Sequence, residues 1–204
     1  MGATQQDLIS VEQAGSRLMT PVHRAAGTGR SYWGPGDVYT FLVTGAESGG
    51  AYFAVEALVP PGGGPPPHIH QNEEETFYIV EGQCSIRLGE ETVLAGAGDF
   101  VSVPRGTVHC FHNEGTETMR MIVTFTPAGM ERFFEETLQP VLDATQDPPA
   151  DSDAIVARYL DAAPRHGLEF IADSTQSPQP NPAERRKLDC RTRFLRESGS
   201  RRGA

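Results

Sequence analysis

The sequence predicts an all-β fold, a sandwich or barrel of antiparallel strands followed by helices. Three observations carry that expectation. Between residues 38 and 126 short runs rich in β-branched and aromatic residues follow one another, each bounded by Gly, Pro, Asn or Asp turn signals. Nothing in that stretch offers the long helical crossover that a parallel sheet needs. Only beyond residue 127 does the apolar period change from that of strands to that of a helix.

Taken in order, the strand candidates are 38–44, 51–59, 76–80, 84–88, 92–94, 100–103, 108–113 and 118–126. The segments between them read Gly-Ala-Glu-Ser-Gly-Gly, Glu-Gly, Gly-Glu-Glu, Gly-Ala-Gly-Asp, Pro-Arg-Gly and Asn-Glu-Gly-Thr, where Gly admits left-handed backbone angles and Asn or Asp bonds its own turn. Strands at this spacing indicate a sandwich or barrel. A first helix is expected from near Pro127, with Met130, Phe133, Phe134, Thr137, Leu138 and Val141 on one face. A second is expected over 152–163, capped by Asp151 or Ser152, with Ile155, Val156, Tyr159 and Leu160 inward. Both are expected to pack on the barrel, where covering its open end would let them gate substrate entry.

Chemistry concentrates in two stretches, GGGPPPHIHQNEEETFYIVEG and GDFVSVPRGTVHCFHN. Successive side chains of an extended chain alternate faces, so His68 and His70 point the same way. Glu75 stands at the head of the next strand, and a turn through residues 71–73 would return its carboxylate to the two imidazoles. His109 supplies a third imidazole. Imidazole and carboxylate together suit one divalent transition metal, and Fe, Mn, Ni, Cu and Zn all remain open. Gly82, Gly98 and Gly106, with Pro104, would aim these ligands through the turns, while Pro65, Pro66 and Pro67 stiffen the approach to His68. Glu73 and Glu74 read as a solvated turn. His23, His112 and His166 read as structural. By strand parity Phe77 and Ile79 share the face of Glu75, and Phe111 that of His109, which makes them candidates for a substrate-pocket wall.

The spacing Gly62, His68, His70, Glu75, Gly82 and the spacing Gly98, Pro104, Gly106, His109, Asn113 resemble the two motifs of the cupin superfamily. The resemblance implies a double-stranded β-helix, a conical jelly-roll barrel of two antiparallel sheets, holding a metal through His68, His70, Glu75 and His109. The segments YWGPGDVYTFLVTG, VPPGGGPPPHIH and FTPAGMERFFEE further resemble the single-domain, quercetin 2,3-dioxygenase-like group. That narrower likeness implies a metal-dependent dioxygenase acting on an enolisable aromatic, flavonol-like or β-dicarbonyl-like small molecule, with dioxygen as co-substrate. Glu75 would also be its catalytic base, taking the substrate's hydroxyl proton. Two other readings use the same ligands. The metal can act only as a Lewis acid, in an isomerase, cyclase, decarboxylase or dehydratase, or the barrel can bind a small molecule without catalysis.

The 204 residues give room for one such barrel with extensions: an N-terminal extension over 1–30, the cupin barrel over 31–126, a helical extension over 127–174 and a tail over 175–204. The net charge of −10 is divided unevenly. Residues 1–174 carry nine Arg against 24 acids, whereas the tail carries eight basic residues against three acidic. Rich in Ser, Pro and Arg, the tail reads as disordered, or as an arm docking on the acidic body. That acidic body argues against nucleic acid, and no basic recognition helix is present. The start lacks a charged segment followed by an apolar run, and no 18-residue apolar stretch occurs, so neither a signal peptide nor a membrane span is expected. Three cysteines, Cys84, Cys110 and Cys190, fit a reducing cytoplasm better than a disulfide framework. Barrel edges invite pairing, so a homodimer is expected.

Overall fold

A computed structural model describes residues 20–142 and 152–171. All eight predicted strands form, as β2 (Val38–Val43), β3 (Phe53–Val59), β5 (Glu74–Glu81), β6 (Gln83–Leu88), β7 (Glu91–Gly96), β8 (Phe100–Val103), β9 (His109–His112) and β10 (Met119–Thr126). Four short strands join them: β1 (Ser31–Trp33), β4 (His68–His70), β11 (Gln139–Pro140) and β12 (Leu168–Phe170). They build a seven-stranded sheet ordered β11-β1-β2-β3-β10-β5-β8 and a five-stranded sheet ordered β12-β4-β9-β6-β7, with every pairing antiparallel. This is the double-stranded β-helix expected from the motifs. The inner faces meet in a core that includes Phe41, Phe53, Val55, Phe77, Ile79, Ile86, Met121 and Phe125, each the inward member of an alternating pattern.

Turn chemistry fixes where the strands end. Gly82, Gly98 and Gly106 all take positive φ. Gly106 matters most, because its N–H donates to the His70 carbonyl (2.8 Å) and so ties the turn before β9 to the strand carrying two histidines. At Gly64 the need is for space, since a Cβ there would lie 2.0 Å from the Phe111 carbonyl oxygen. Asn113 closes the next turn. Its buried side-chain amide donates to the Val59 and Glu117 carbonyls (2.8 and 2.9 Å) and its Oδ1 accepts from Gly115 N–H (3.0 Å).

The helical parts differ from expectation in detail. The segment after Thr44, read as a turn, is one helical turn, α1 (Gly45–Ser48), held by a capping box between Thr44 and Glu47. The helix expected from Pro127 starts later, as α2 (Met130–Thr137), and stops earlier because the chain leaves it to pair Gln139 and Pro140 with β1. Its apolar face is the predicted one: Met130, Phe133, Phe134, Thr137 and Leu138 are buried, while Val141 lies beyond the helix. The helix α3 (Ser152–Ala162) buries Ile155 and Ala162 and half-buries Tyr159, but Val156 and Leu160 are exposed. One residue corresponds to about 100° of rotation, which carries both away from a contact face set by Ile155, Tyr159 and Ala162. A short 3-10 turn (Ala163–His166) leads into β12. The expected cap at Asp151 or Ser152, Cys190 and the basic tail fall outside the residues or side chains described. No described helix is long and apolar enough to cross a membrane.

Candidate metal centre

The smaller sheet carries three imidazoles and the larger one carries the carboxylate. On β4, the HIH sequence puts His68 and His70 inward with Ile69 turned away. His68 lies directly opposite His109 of the neighbouring β9. On its other edge β4 pairs with β12, Leu168 opposite His70 and Phe170 opposite His68, so the C-terminal strand braces the histidine pair. Sequence reasoning missed that brace, because Leu-Glu-Phe after a Gly is too short to show a period. Glu75, on β5, reaches across from the facing sheet.

All four side chains are buried, and their donor atoms lie within 4.8 Å of one another. Glu75 Oε2 is the hub, 2.7 Å from His109 Nε2, 3.2 Å from His70 Nε2 and 4.0 Å from His68 Nε2. Donors held about 2.1 Å from one ion stand about 3 Å apart at a right angle and about 4 Å apart across it, so this spread matches one coordination sphere. His68 and His109 each donate Nδ1–H to the carbonyl two residues earlier, Pro66 and Thr107, at 2.9 Å. In their neutral form this leaves the Nε2 lone pairs facing a carboxylate oxygen. At His109 that contact, 2.7 Å, needs a proton or a metal ion between the two atoms, and the donor set of three imidazoles and one carboxylate fits a divalent metal.

Electrostatics agree. Burial opposes charging of Glu75, yet the His70 and His109 rings hold its carboxyl well below the usual carboxylate range. Burial and the neighbouring His109 push His68 down to about 3, so it stands neutral as a ligand must. At His70 burial is outweighed by Glu75 and then Glu73, which push it up to about 9. Without a metal, the folded chain therefore keeps at His70 a proton that the unfolded chain loses near pH 6.5. That contribution to stability is whole below pH 6.5 and is lost as pH rises through about 9. The melting temperature of metal-free protein is expected to fall across this window, whereas metal-loaded protein, in which the ion replaces the proton, holds level. Superimposable pH profiles would contradict it.

Glu73 corrects the sequence reading. Expected in a solvated turn, it is 4% exposed, and its Oε2 has no hydrogen-bond partner among the described residues. It lies 3.8 Å from His70 Nδ1, which is likewise unpartnered. The reason lies far along the chain: Gln71 N–H donates to the Gly167 carbonyl and the Asn72 amide to that of His166, drawing the turn inward. Gly129 then leaves room, since a Cβ there would be 3.0 Å from Glu73 Oε1. Parity was the available signal, because Glu73 and Glu75 are two apart on one face. His70 thus has a carboxylate 3.8 Å from its outer nitrogen where its two companions hydrogen-bond to carbonyls, the side from which a metal-bound imidazole is usually supported. Glu73→Gln is expected to weaken metal affinity by about 10- to 100-fold without unfolding the barrel. Chelator competition measures this, and equal affinities would remove Glu73 from the metal's support. Glu74, by contrast, is exposed as expected.

Around the centre lies an aromatic chamber of about 50 Å³ lined by His68, His70, Glu75 and by Tyr39, Phe111, Phe125, Phe133, Phe134, Tyr159 and Phe170 among others. Of the three predicted wall residues Phe111 lies on it, while Phe77 and Ile79 are fully buried in the core and are not among its lining. Tyr39, the α2 rings and Tyr159 went unpredicted, because they come from elements far from the motifs. The helices thus supply one wall. His112 and Cys110 alternate away from the buried His109 and Phe111, and burial pushes the Cys84 thiol up to about 11.

Two antiparallel sheets closing three imidazoles and a carboxylate around one point define a β-barrel of the metal-binding kind. Residues 55–125 match the cupin domain family, and the stretch matched contains the cluster of His68, His70, Glu75 and His109. It is 32% identical over 126 residues to quercetin 2,3-dioxygenase of Aspergillus japonicus, covering 57% of this chain and 36% of that protein. To quercetin 2,3-dioxygenase of Bacillus subtilis (strain 168) it is 24% identical over 176 residues, 85% of this chain and 52% of that one. The chain thus spans about a third to a half of the length of these curated relatives. A solved structure of a predicted oxalate decarboxylase from Thermotoga maritima is 20% identical, with a TM-score of 0.48, covering 52% of this chain and 99% of that chain.

Proposed function

We propose that the chain is a metal-dependent dioxygenase acting on an enolisable aromatic, flavonol-like or β-dicarbonyl-like small molecule. The observation that carries this is Glu75, a carboxylate held ionised among three imidazoles at the end of an aromatic chamber. The relatives named quercetin 2,3-dioxygenase support the same direction. A divalent transition metal, Fe, Mn, Ni, Cu or Zn, would be held by His68, His70, Glu75 and His109, and would supply Lewis acidity toward a substrate oxygen and, if redox-active, reactivity with dioxygen.

The chain's own residues do the rest. Glu75 is the buried base that takes the proton of an arriving enolic hydroxyl, and the resulting ligand finds two imidazole edges locked by carbonyls and a third backed by Glu73. Phe111, Phe125, Phe134 and Phe170 offer faces to a planar ring and exclude water from the reacting end. Oxygen consumption by protein loaded in turn with each metal, against a panel of flavonols and β-diketones, tests the reading. Uptake with at least one redox-active metal is expected, and none with any would refute it. Turnover by the Zn-loaded protein without oxygen would instead establish non-redox chemistry.

A further inference from the structure

A chamber of about 50 Å³ is too small for a polycyclic ligand, since pockets that hold such molecules run to about 300 Å³ and more. Beside it lies a second cavity of about 220 Å³. The two adjoin at Tyr39, Pro65, Tyr159 and Phe170, the side on which a ligand with its head at the metal would have to place its far end.

Asp37 lines that second cavity. It is 5% exposed and forms no ion pair among the described residues. One carboxylate oxygen, Oδ2, accepts from the Tyr39 hydroxyl at 3.1 Å. The other, Oδ1, is buried and has no hydrogen-bond partner among the described residues. A buried carboxylate oxygen left unpaired costs free energy that a donor would recover. Only a glycine fits beside it at position 63, because a Cβ there would stand 2.8 Å from Oδ1. Burial pushes the Asp37 carboxyl up to about 6, and the Tyr39 bond offsets this only in part, so at neutral pH it remains mostly an acceptor. Neither metal coordination nor proton abstraction at Glu75 uses it.

We propose that Asp37, oriented by Tyr39, is a second anchor point that accepts a hydrogen bond from a phenolic hydroxyl at the end of the ligand remote from the metal. The substrate class is thereby narrowed to aromatic molecules with an enolic oxygen at one end and a donating hydroxyl at the other. This narrowing rests on the dioxygenase reading, whereas the anchor itself does not.

Phenol and anisole separate the two. They share a ring, and only phenol donates. Binding of each to the full, metal-loaded chain is followed by NMR titration for the wild type, Asp37→Asn and Tyr39→Phe. The wild type is expected to prefer phenol about 10-fold, the size of one hydrogen bond to a charged acceptor. In Asp37→Asn the Tyr39 hydroxyl engages the amide oxygen and leaves an NH2 donor facing the cavity, so the preference vanishes or inverts. Tyr39→Phe, which keeps the carboxylate, retains it. Equal binding of phenol and anisole by the wild type, no binding of either, or a preference untouched by Asp37→Asn would each overturn the anchor. A preserved, Asp37-dependent preference for phenol together with no oxygen uptake from any flavonol would leave the anchor standing and defeat the dioxygenase reading alone.

Discussion

Replacing His109 by alanine is expected to lower affinity for a divalent transition metal by more than about 100-fold, with the barrel still folded. Outer partners of metal-bound imidazoles are alone worth about 10- to 100-fold, and a direct ligand must exceed them. His109 makes the closest approach to Glu75, 2.7 Å, and is the only donor that β9 contributes. Its ring is fixed by the Thr107 carbonyl. Without it Glu75 keeps His70 at 3.2 Å and His68 at 4.0 Å, a three-donor set open on one side. Turnover should fall with metal occupancy. Chelator competition alongside circular dichroism measures both properties. Affinity within about threefold of the wild type would mean that the metal binds elsewhere.

Phe134→Ala is expected to cost about 3 to 5 kcal/mol of stability, the range for removing a buried ring without collapse of the space it leaves. At about 2 to 4 °C per kcal/mol for a chain of this size, the melting temperature should drop by about 6 to 20 °C. Phe134 is where α2 grips the barrel. Its ring centroid lies 5.0 Å from Tyr39, 5.9 Å from both Phe53 and Phe125, and 6.3 Å from Phe41, with edge-on geometry against Phe53 and Phe125. Such pairs add about 0.5 to 1.5 kcal/mol beyond burial. Because the same ring lines the chamber, KM should rise while metal affinity stays near that of the wild type. A loss below about 1 kcal/mol would show that α2 is not anchored through this residue.

The barrel and the cluster of candidate metal ligands were legible because both rest on local rules. Alternation along a strand is set by backbone geometry, so the inward faces of HIH, of Glu75 with Phe77 and Ile79, and of His109 with Phe111 follow from parity alone. What the sequence concealed depends on contacts between distant segments. Glu73 is buried because residues 166 and 167 hold its turn, and β12 exists because Leu168 and Phe170 find an open edge beside His70 and His68. Val156 and Leu160 looked inward by composition, yet the rotation of α3 was set by the partners of Ile155 and Tyr159. Asp37 gave no signal, since an acid after a Pro-Gly pair usually marks a solvated turn.

X-ray absorption of the metal-loaded chain probes the centre most directly. One ion per chain surrounded by three imidazoles at about 2.0 to 2.1 Å, with the remaining scatterers oxygen, is the expected spectrum. An ion with fewer than two imidazoles, or with sulfur in its shell from Cys84 or Cys110, would contradict the assignment of His68, His70, Glu75 and His109 as its ligands.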